Sequence, residues 1–268
     1  MKKDIFNLSG KKIVLTGGLG LLGLNFVEAF LERGATVIII DMVDEITAKQ
    51  KIQSKLGDAG EKLLYFHGDV TDRKSLEEIK EKIMTSFGNV DALINNAAMN
   101  PKVEAGSTTI SQKNTFEDLK IEDWERELKV NLTGAMLCSQ VFGGVMKTGS
   151  TIINISSVYG FVGPDQSIYP EGFIKPATYG VSKGALVSLT KYLAAYWGKK
   201  DIRVNCLVLG GVENSQDKDF IKKYSGRTQL ARMARADEYN GAIVFLVSDA
   251  SSYMTGSNLI IDGGWTAW

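Results

Sequence analysis

The 268 residues hold one histidine, two cysteines and four prolines. With a single histidine, and no His/Cys/Asp group at metal-ligand spacing, no catalytic metal is expected. His67 ends an apolar run just before Gly68-Asp69-Val70, a place for a packing side chain rather than a catalytic one. Cys138 and Cys206 lie in separate apolar runs without a CxxC partner, which reads as two buried free thiols in a reducing compartment. Neither sign of charge is in excess: 31 Lys plus Arg match 31 Asp plus Glu, and no basic block stands out, so nucleic acid is not the expected partner. No apolar run approaches the roughly 18 residues that cross a bilayer. The opening "MKKDIFNLSG" has two lysines but no apolar segment behind them. A cytoplasmic chain with no membrane partner is expected, in which the "NLT" at Asn131 goes unglycosylated.

Against these absences, hydrophobic residues make up 44% of the chain. Short β-branched runs alternate with longer amphipathic ones. Strands are predicted at 12–17, 36–42, 62–70, 90–98, 150–157, 202–210 and 258–262. Helices are predicted at 22–34, 46–57, 72–88, 122–146, 178–198 and 237–249. Runs such as "VIII" are apolar on both faces, as a parallel sheet covered by helices requires. The βαβ rhythm predicts a doubly wound, Rossmann-type α/β fold: a mostly parallel seven-stranded sheet with helices on both faces, in one domain spanning 1–268. Two irregular stretches, 99–121 and 158–177, are long enough to suggest function.

The first strand-to-helix turn carries Gly17, Gly20 and Gly23, with Leu21 and Leu22 between the last two. A helix N-terminus offers unpaired N–H groups, and glycine lets a phosphate approach them. Asp41 ends strand two, where a carboxylate can accept hydrogen bonds from an adenosine ribose. Neither Gly18, Leu19 nor Met42 is basic, so no partner for a 2′-phosphate is evident there; NAD(H) is favoured over NADP(H). In "TYGVSKGAL", Tyr179 and Lys183 stand four apart, on one face of a helix. A nearby ammonium favours phenolate, which turns a poor base into a usable one. Ser157 ends strand five, at the sheet edge where doubly wound folds bind ligands.

In order along the chain, "TGGLGLLG", "GDV", "NNAA", "VNLTG", "INISS", "YGVSK" and "DGG" resemble the short-chain dehydrogenase/reductase family over nearly the whole length. The resemblance implies a nicotinamide cofactor and an Asn-Ser-Tyr-Lys tetrad. Tyr179 would be the acid/base, and Lys183 would lower its pKa and bind the nicotinamide ribose. Ser157 would polarise the reacting oxygen, and Asn131 would hold a relay water. Asp69 and Val70 would flank the adenine, Asn95 to Ala97 would line the cleft, and Gly210, Val212 and Asn214 would meet the nicotinamide. The sequence departs from the family's usual pattern at three places. The glycine spacing is similar to that of the longer, sugar-nucleotide-modifying branch, whose C-terminal substrate domain is not seen here. Leu209 stands where a proline is usual and Asn214 where a threonine is. The 22 positions from Ser157 to Tyr179 hold an insertion. Within the family, "NNAAMNPKVE", the insertion and "GGVENSQ" resemble bacterial oxidoreductases of surface-polysaccharide and flagellin-glycan modification, which implies a sugar-like substrate.

The expected activity is NAD(H)-dependent interconversion of a hydroxyl and a carbonyl on a small substrate. An epimerase or dehydratase that recycles bound NAD is an alternative favoured by the glycine spacing. A non-catalytic NAD-binding scaffold or sensor is a third, suggested by the altered loop at Leu209. Lys102, Glu104, Asp165, Gln166, Tyr169 and Lys175 are candidate substrate contacts, with the insertion expected to form a wall over the cleft. "EDWERELK" is expected to be an exposed helix face, and the aromatics of "YLAAYWG" core or interface. The family resemblance implies a homodimer or homotetramer, with Trp265 and Trp268 in a buried tail.

Overall fold

Seven short segments, most of them rich in apolar residues, lie side by side in one sheet. They are β1 (Lys12–Thr16), β2 (Thr36–Asp41), β3 (Leu63–His67), β4 (Ala92–Asn95), β5 (Thr151–Ser157), β6 (Arg203–Leu209) and β7 (Asn258–Ile261). The structure is a computed structural model, and it describes residues 4–57, 60–100 and 115–268. Strand order is β3-β2-β1-β4-β5-β6-β7. Every pairing is parallel. Because β1, β2 and β3 step one way across the sheet and β4 to β7 the other, the order reverses between β1 and β4. A crevice opens there, beyond the carboxyl ends of the strands.

Both faces of the sheet are covered, as the doubly apolar strands require. One face packs α1 (Leu21–Glu32) and α8 (Asn240–Val247) through Phe26, Phe30 and Ile243. The other packs α3 (Arg73–Phe87), α5 (Ala135–Gly143) and α6 (Ala177–Trp197) through Ile83, Phe142 and Trp197. Asp44 caps α2 (Glu45–Leu56) and Asp72 caps α3, each accepting two backbone N–H bonds. No side chain caps α1.

Two differences from the sequence reading have local causes. The single helix expected over 122–146 is α4 (Ile121–Leu128), one wide π turn (Lys129–Gly134) and α5. Periodicity alone does not register one extra residue in a turn. The helix α7 (Lys218–Ser225), capped by Asp217, was not expected, since it follows directly on the polar "VENSQD". Of the aromatic positions, Trp197 and Trp265 are buried, whereas Trp268 is 72% exposed, so the expected buried tail stops short of the last residue. Tyr192 and Tyr196 are exposed on α6 and stacked on each other. Both cysteines are buried free thiols. No described helix is long and apolar enough to cross a membrane.

The start of α1 sits directly on the turn before it. A Cβ on Gly23 would stand 2.4 Å from the Gly17 carbonyl oxygen and 2.7 Å from the Gly18 carbonyl carbon. Gly23→Ala should therefore cost about 2 kcal/mol or more in a urea titration. Gly241→Ala, on α8 with open space around it, should change stability by well under about 1 kcal/mol.

Candidate active site

The crevice is a cleft of about 1190 Å³. Its first wall is the β1–α1 turn. Gly17 takes φ +63, and a Cβ there would lie 2.7 Å from the Ala97 Cα. Only glycine lets the turn come so close to the end of β4. Thr16 and Asn96 lock that contact. The Thr16 hydroxyl accepts from the Asn96 and Ala97 N–H groups, both at 3.1 Å. The Asn96 amide donates back to the carbonyls of Thr16 (3.1 Å) and Gly17 (2.9 Å). Gly20, Leu21, Leu22 and Gly23 continue the lining along the unpaired first turn of α1. At the far end Asp41 accepts from the N–H groups of Leu19 (3.0 Å) and Val43 (3.3 Å). Asp69, Val70 and Ala97 line the cleft between, as do Gly210, Val212 and Asn214 across from them.

Ser157 and Tyr179 meet at the other end. β5 delivers Ser157 at its last position, and Tyr179 stands in the first turn of α6. Both line the cleft there, and the Ser157 hydroxyl acts on that of Tyr179. One helical turn on, the Lys183 ammonium is 5.8 Å from the Tyr179 ring centre and donates to the Ile155 carbonyl at 2.8 Å. One cleft thus joins a close-approach glycine turn, a carboxylate at a strand end and a Ser-Tyr-Lys group.

A family model described as Enoyl-(Acyl carrier protein) reductase matches residues 21–266. Galactitol 2-dehydrogenase of Rhizobium johnstonii is 33% identical over 273 residues, covering 98% of each chain. Trans-4-hydroxycyclohexanecarboxylate dehydrogenase of Sinomonas cyclohexanicum is 32% identical, over 96% of this chain and 93% of that one. The solved short-chain dehydrogenase of Leptospira borgpetersenii with bound NAD+ superposes with a TM-score of 0.84. It is 31% identical, over 99% of this chain and 96% of the other. The chain belongs to the short-chain dehydrogenase/reductase family. Its solved neighbours hold NAD in that instance and NADP in another.

Several expected site residues of this short-chain dehydrogenase/reductase stand elsewhere than the sequence suggested. Asn95 does not line the cleft. It is buried on the inner side of β4, where its amide donates to Ser139 (3.1 Å) and Asn154 (2.8 Å). Successive residues of a strand face opposite ways, so Asn96 takes the place by the turn. Asn131 lies in the π turn with its amide committed to the protein. It accepts from the Met99 N–H (2.7 Å) and donates to the Met99 carbonyl (3.0 Å) and the Ser182 hydroxyl (3.2 Å). Any relay water would have to use its backbone. Leu209 completes the β6 ladder, in register with Ser157 on one side and Ile261 on the other.

The insertion after Ser157 does fold over the cleft, through Tyr169 and Lys175. Asp165 and Gln166 do not reach it. Asp165 caps a short turn through Ser167 and pairs with Arg227 at 3.4 Å. Gln166 clasps the Lys175 backbone, accepting at 2.9 Å and donating at 3.2 Å. Lys102 and Glu104 lie outside the described residues. An aromatic chain closes this side. Tyr169 stacks on Phe173 and tilts on Phe220, Phe220 meets Tyr224, and Tyr224 stacks on Trp265 at 4.4 Å. Tyr159 touches Trp265 edge-on and hydrogen-bonds the Tyr169 hydroxyl.

Glu127 was expected on an exposed face but is only 6% exposed. Burial raises its pKa, while Lys175, Lys183 and Arg126 pull it down. The residue gave no sequence signal, because five of the eight α4 positions are charged and Glu127 is one of them. Burial pushes the Lys183 and Lys175 ammonium groups down to about 8, against the pull of Glu127. Tyr179 is a correction to expectation. Burial pushes its hydroxyl up to about 12, outweighing the Ser157 hydrogen bond that favours phenolate. Lys183 is turned to the Ile155 carbonyl and does not reverse this.

These shifts fix a pH dependence. Between about pH 8 and 10.5 the unfolded chain keeps lysine protons that the folded one has released, so stability rises with pH, by up to about 3 kcal/mol per lysine. Tyr179 acts oppositely: its contribution is intact below pH 10 and is lost as pH climbs towards 12. Urea titrations across pH 7–10.5 should show a rise that Lys183→Met flattens.

Proposed function

We propose that the protein is an NAD(H)-dependent dehydrogenase/reductase that interconverts a hydroxyl and a carbonyl on a small sugar-like or cyclic substrate. The observation that carries this is the meeting of Ser157, Tyr179 and Lys183 at one end of a cleft whose other end holds Asp41. The glycine turn supports a dinucleotide, since a Cβ at Gly17 would fill the space beside Ala97. Gly17 to Gly23 would hold the pyrophosphate, Asp41 the adenosine ribose, Asp69 and Val70 the adenine, and Tyr179 and Lys183 the nicotinamide ribose. When bound, the nicotinamide supplies the hydride acceptor or donor.

The chain's own residues supply the rest. Oxidation of an alcohol removes a hydride from carbon and a proton from oxygen; Ser157 orients that oxygen and the Tyr179 oxygen takes the proton. In reduction the Tyr179 phenol gives the proton back and Ser157 hydrogen-bonds the developing alkoxide. A phenol held near 12 is in the donor form at neutral pH, so the isolated protein stands ready for reduction, and oxidation requires Tyr179 to be ionised first. Asn131 steadies the floor by holding Met99. The activities of the galactitol and hydroxycyclohexanecarboxylate relatives support a ring or polyol bearing a secondary hydroxyl. The resemblance to surface-glycan oxidoreductases points the same way. A homo-oligomer belongs to this reading, with the exposed Tyr192 and Tyr196 of α6 as contact residues; a monomer by light scattering at micromolar concentration would count against it.

Asp41 supports NAD over NADP, because a second anion beside its carboxylate is repelled. Lys51 also reaches this end, its ammonium 3.5 Å from the Leu19 carbonyl, and is the competing influence. NAD should bind more tightly than NADP in calorimetry, and Asp41→Ala with Met42→Arg should reverse the order; a wild-type preference for NADP refutes the assignment. Tyr179→Phe should bind NAD as well as the wild type yet lose at least about a hundredfold in turnover. The check is reduced-nicotinamide absorbance with a panel of polyols and cyclic alcohols. Net formation of reduced nicotinamide also separates a dehydrogenase from an epimerase that recycles its cofactor.

A further inference from the structure

Lys175 is the unusual group in the cleft. It lies in the insertion, four residues before Tyr179, and is 6% exposed. Three features hold it. Its backbone is clasped on both sides by Gln166. Pro176 follows and favours extended backbone at Lys175. Its ammonium donates to the Asn100 side chain, which also lines the cleft. The ammonium lies 4.1 Å from the Tyr179 ring centre, nearer than that of Lys183. A lysine buried this deeply is costly, and an insertion that fixes it by main chain and side chain alike places it for a purpose.

We propose that Lys175 is a substrate-recognition residue that binds an oxyanion, a carboxylate or a phosphate, on a hydroxy-bearing substrate. The substrate class becomes a hydroxy acid or phosphorylated polyol with its anionic group a few bonds from the reacting carbon. This rests on the dehydrogenase reading above and narrows it. Nearness to the Tyr179 ring sets the spacing: a ligand whose hydroxyl meets Ser157 and Tyr179 shares the cleft with the Lys175 ammonium, 4.1 Å from that ring centre. Two charged groups among the described residues bear on Lys175. Glu127, from α4, does not line the cleft, so it balances lysine charge from within the protein without occupying the ligand's place. Lys183, from α6, repels Lys175 and adds to the attraction for an anion. Burial holds the ammonium down at about 8, so it is mostly charged at neutral pH, and a bound oxyanion favours that charged form further. An ammonium–oxyanion hydrogen bond in so dry a place is among the stronger polar contacts.

The test is calorimetric titration of the NAD-saturated protein with three compounds that share one carbon chain: D-gluconate, D-glucitol 6-phosphate and neutral D-glucitol. At least one anion should bind tenfold or more tightly than glucitol, and which one does distinguishes carboxylate from phosphate. Lys175→Met should reduce that anion to the level of glucitol, while Lys175→Arg keeps the preference within about threefold. NAD affinity and the thermal midpoint of each variant report on the fold. Equal binding of the three, no binding by any, or a preference that survives Lys175→Met overturns the proposal. If Lys175→Met unfolds, Lys175→Gln and Asn100→Ala take its place, with a preference lowered in both expected and a preference untouched in both refuting. Absence of NAD binding by the wild type would tell against the dehydrogenase reading, and the same titrations without NAD would still decide the anion site.

Discussion

The site depends on how closely the first turn of the chain approaches the end of β4. Gly17 can come against Ala97 only because it carries no side chain of its own. Thr16 and Asn96 then hold the turn from both sides with four hydrogen bonds. That contact fixes where α1 begins. It also fixes how the turn's N–H groups face the cleft and how far Asp41 stands from the strand ends that carry Ser157. A wider gap would leave the two halves of the cleft out of register with a single extended ligand.

The second constraint is dryness. Tyr179, Lys183, Lys175 and Glu127 are ionisable groups on four separate turns, brought together with little water to solvate any charge. Burial moves the carboxyl up and the amines down, so each resists ionising alone. Glu127 and the two lysines favour one another's charged forms, whereas Lys183 opposes the charge on Lys175 and Glu127 opposes the Tyr179 phenolate. The protonation of each group therefore depends on its neighbours as well as on its own burial.

Much of this was legible in the sequence, and the pattern of misses is physical. Strand identity was plain, because parallel strands buried on both faces read as continuous apolar runs. Gly17, Asp41, Ser157, Tyr179 and Lys183 stand in the cleft as expected, since each sits at a strand end or on a helix turn that short motifs define well. That Asn95, unlike the expected Asn96 and Ala97, turns away from the cleft is a matter of which way one strand residue points, and adjacent identical residues carry no signal of that. Glu127 was hidden because a charged helix does not show which of its charges faces inward. Asp165 and Gln166 were polar residues of a loop; that Gln166 braces Lys175 and Asp165 pairs with Arg227, rather than both facing the cleft, depends on contacts made only once the insertion is folded. The rise in the Tyr179 pKa came from burial, and the spacing of Tyr and Lys says nothing about burial.

The rings of Tyr159, Tyr169, Phe173, Phe220, Tyr224 and Trp265 come from three stretches far apart along the chain, and each touches at least one of the others. Close-packed rings do not change size independently. Enlarging or trimming one leaves a clash or a gap for its neighbour in another stretch. Diversification of this side of the cleft must therefore proceed by concerted exchange: a new substrate shape is reached by resizing the insertion, α7 and the C-terminal segment as a set.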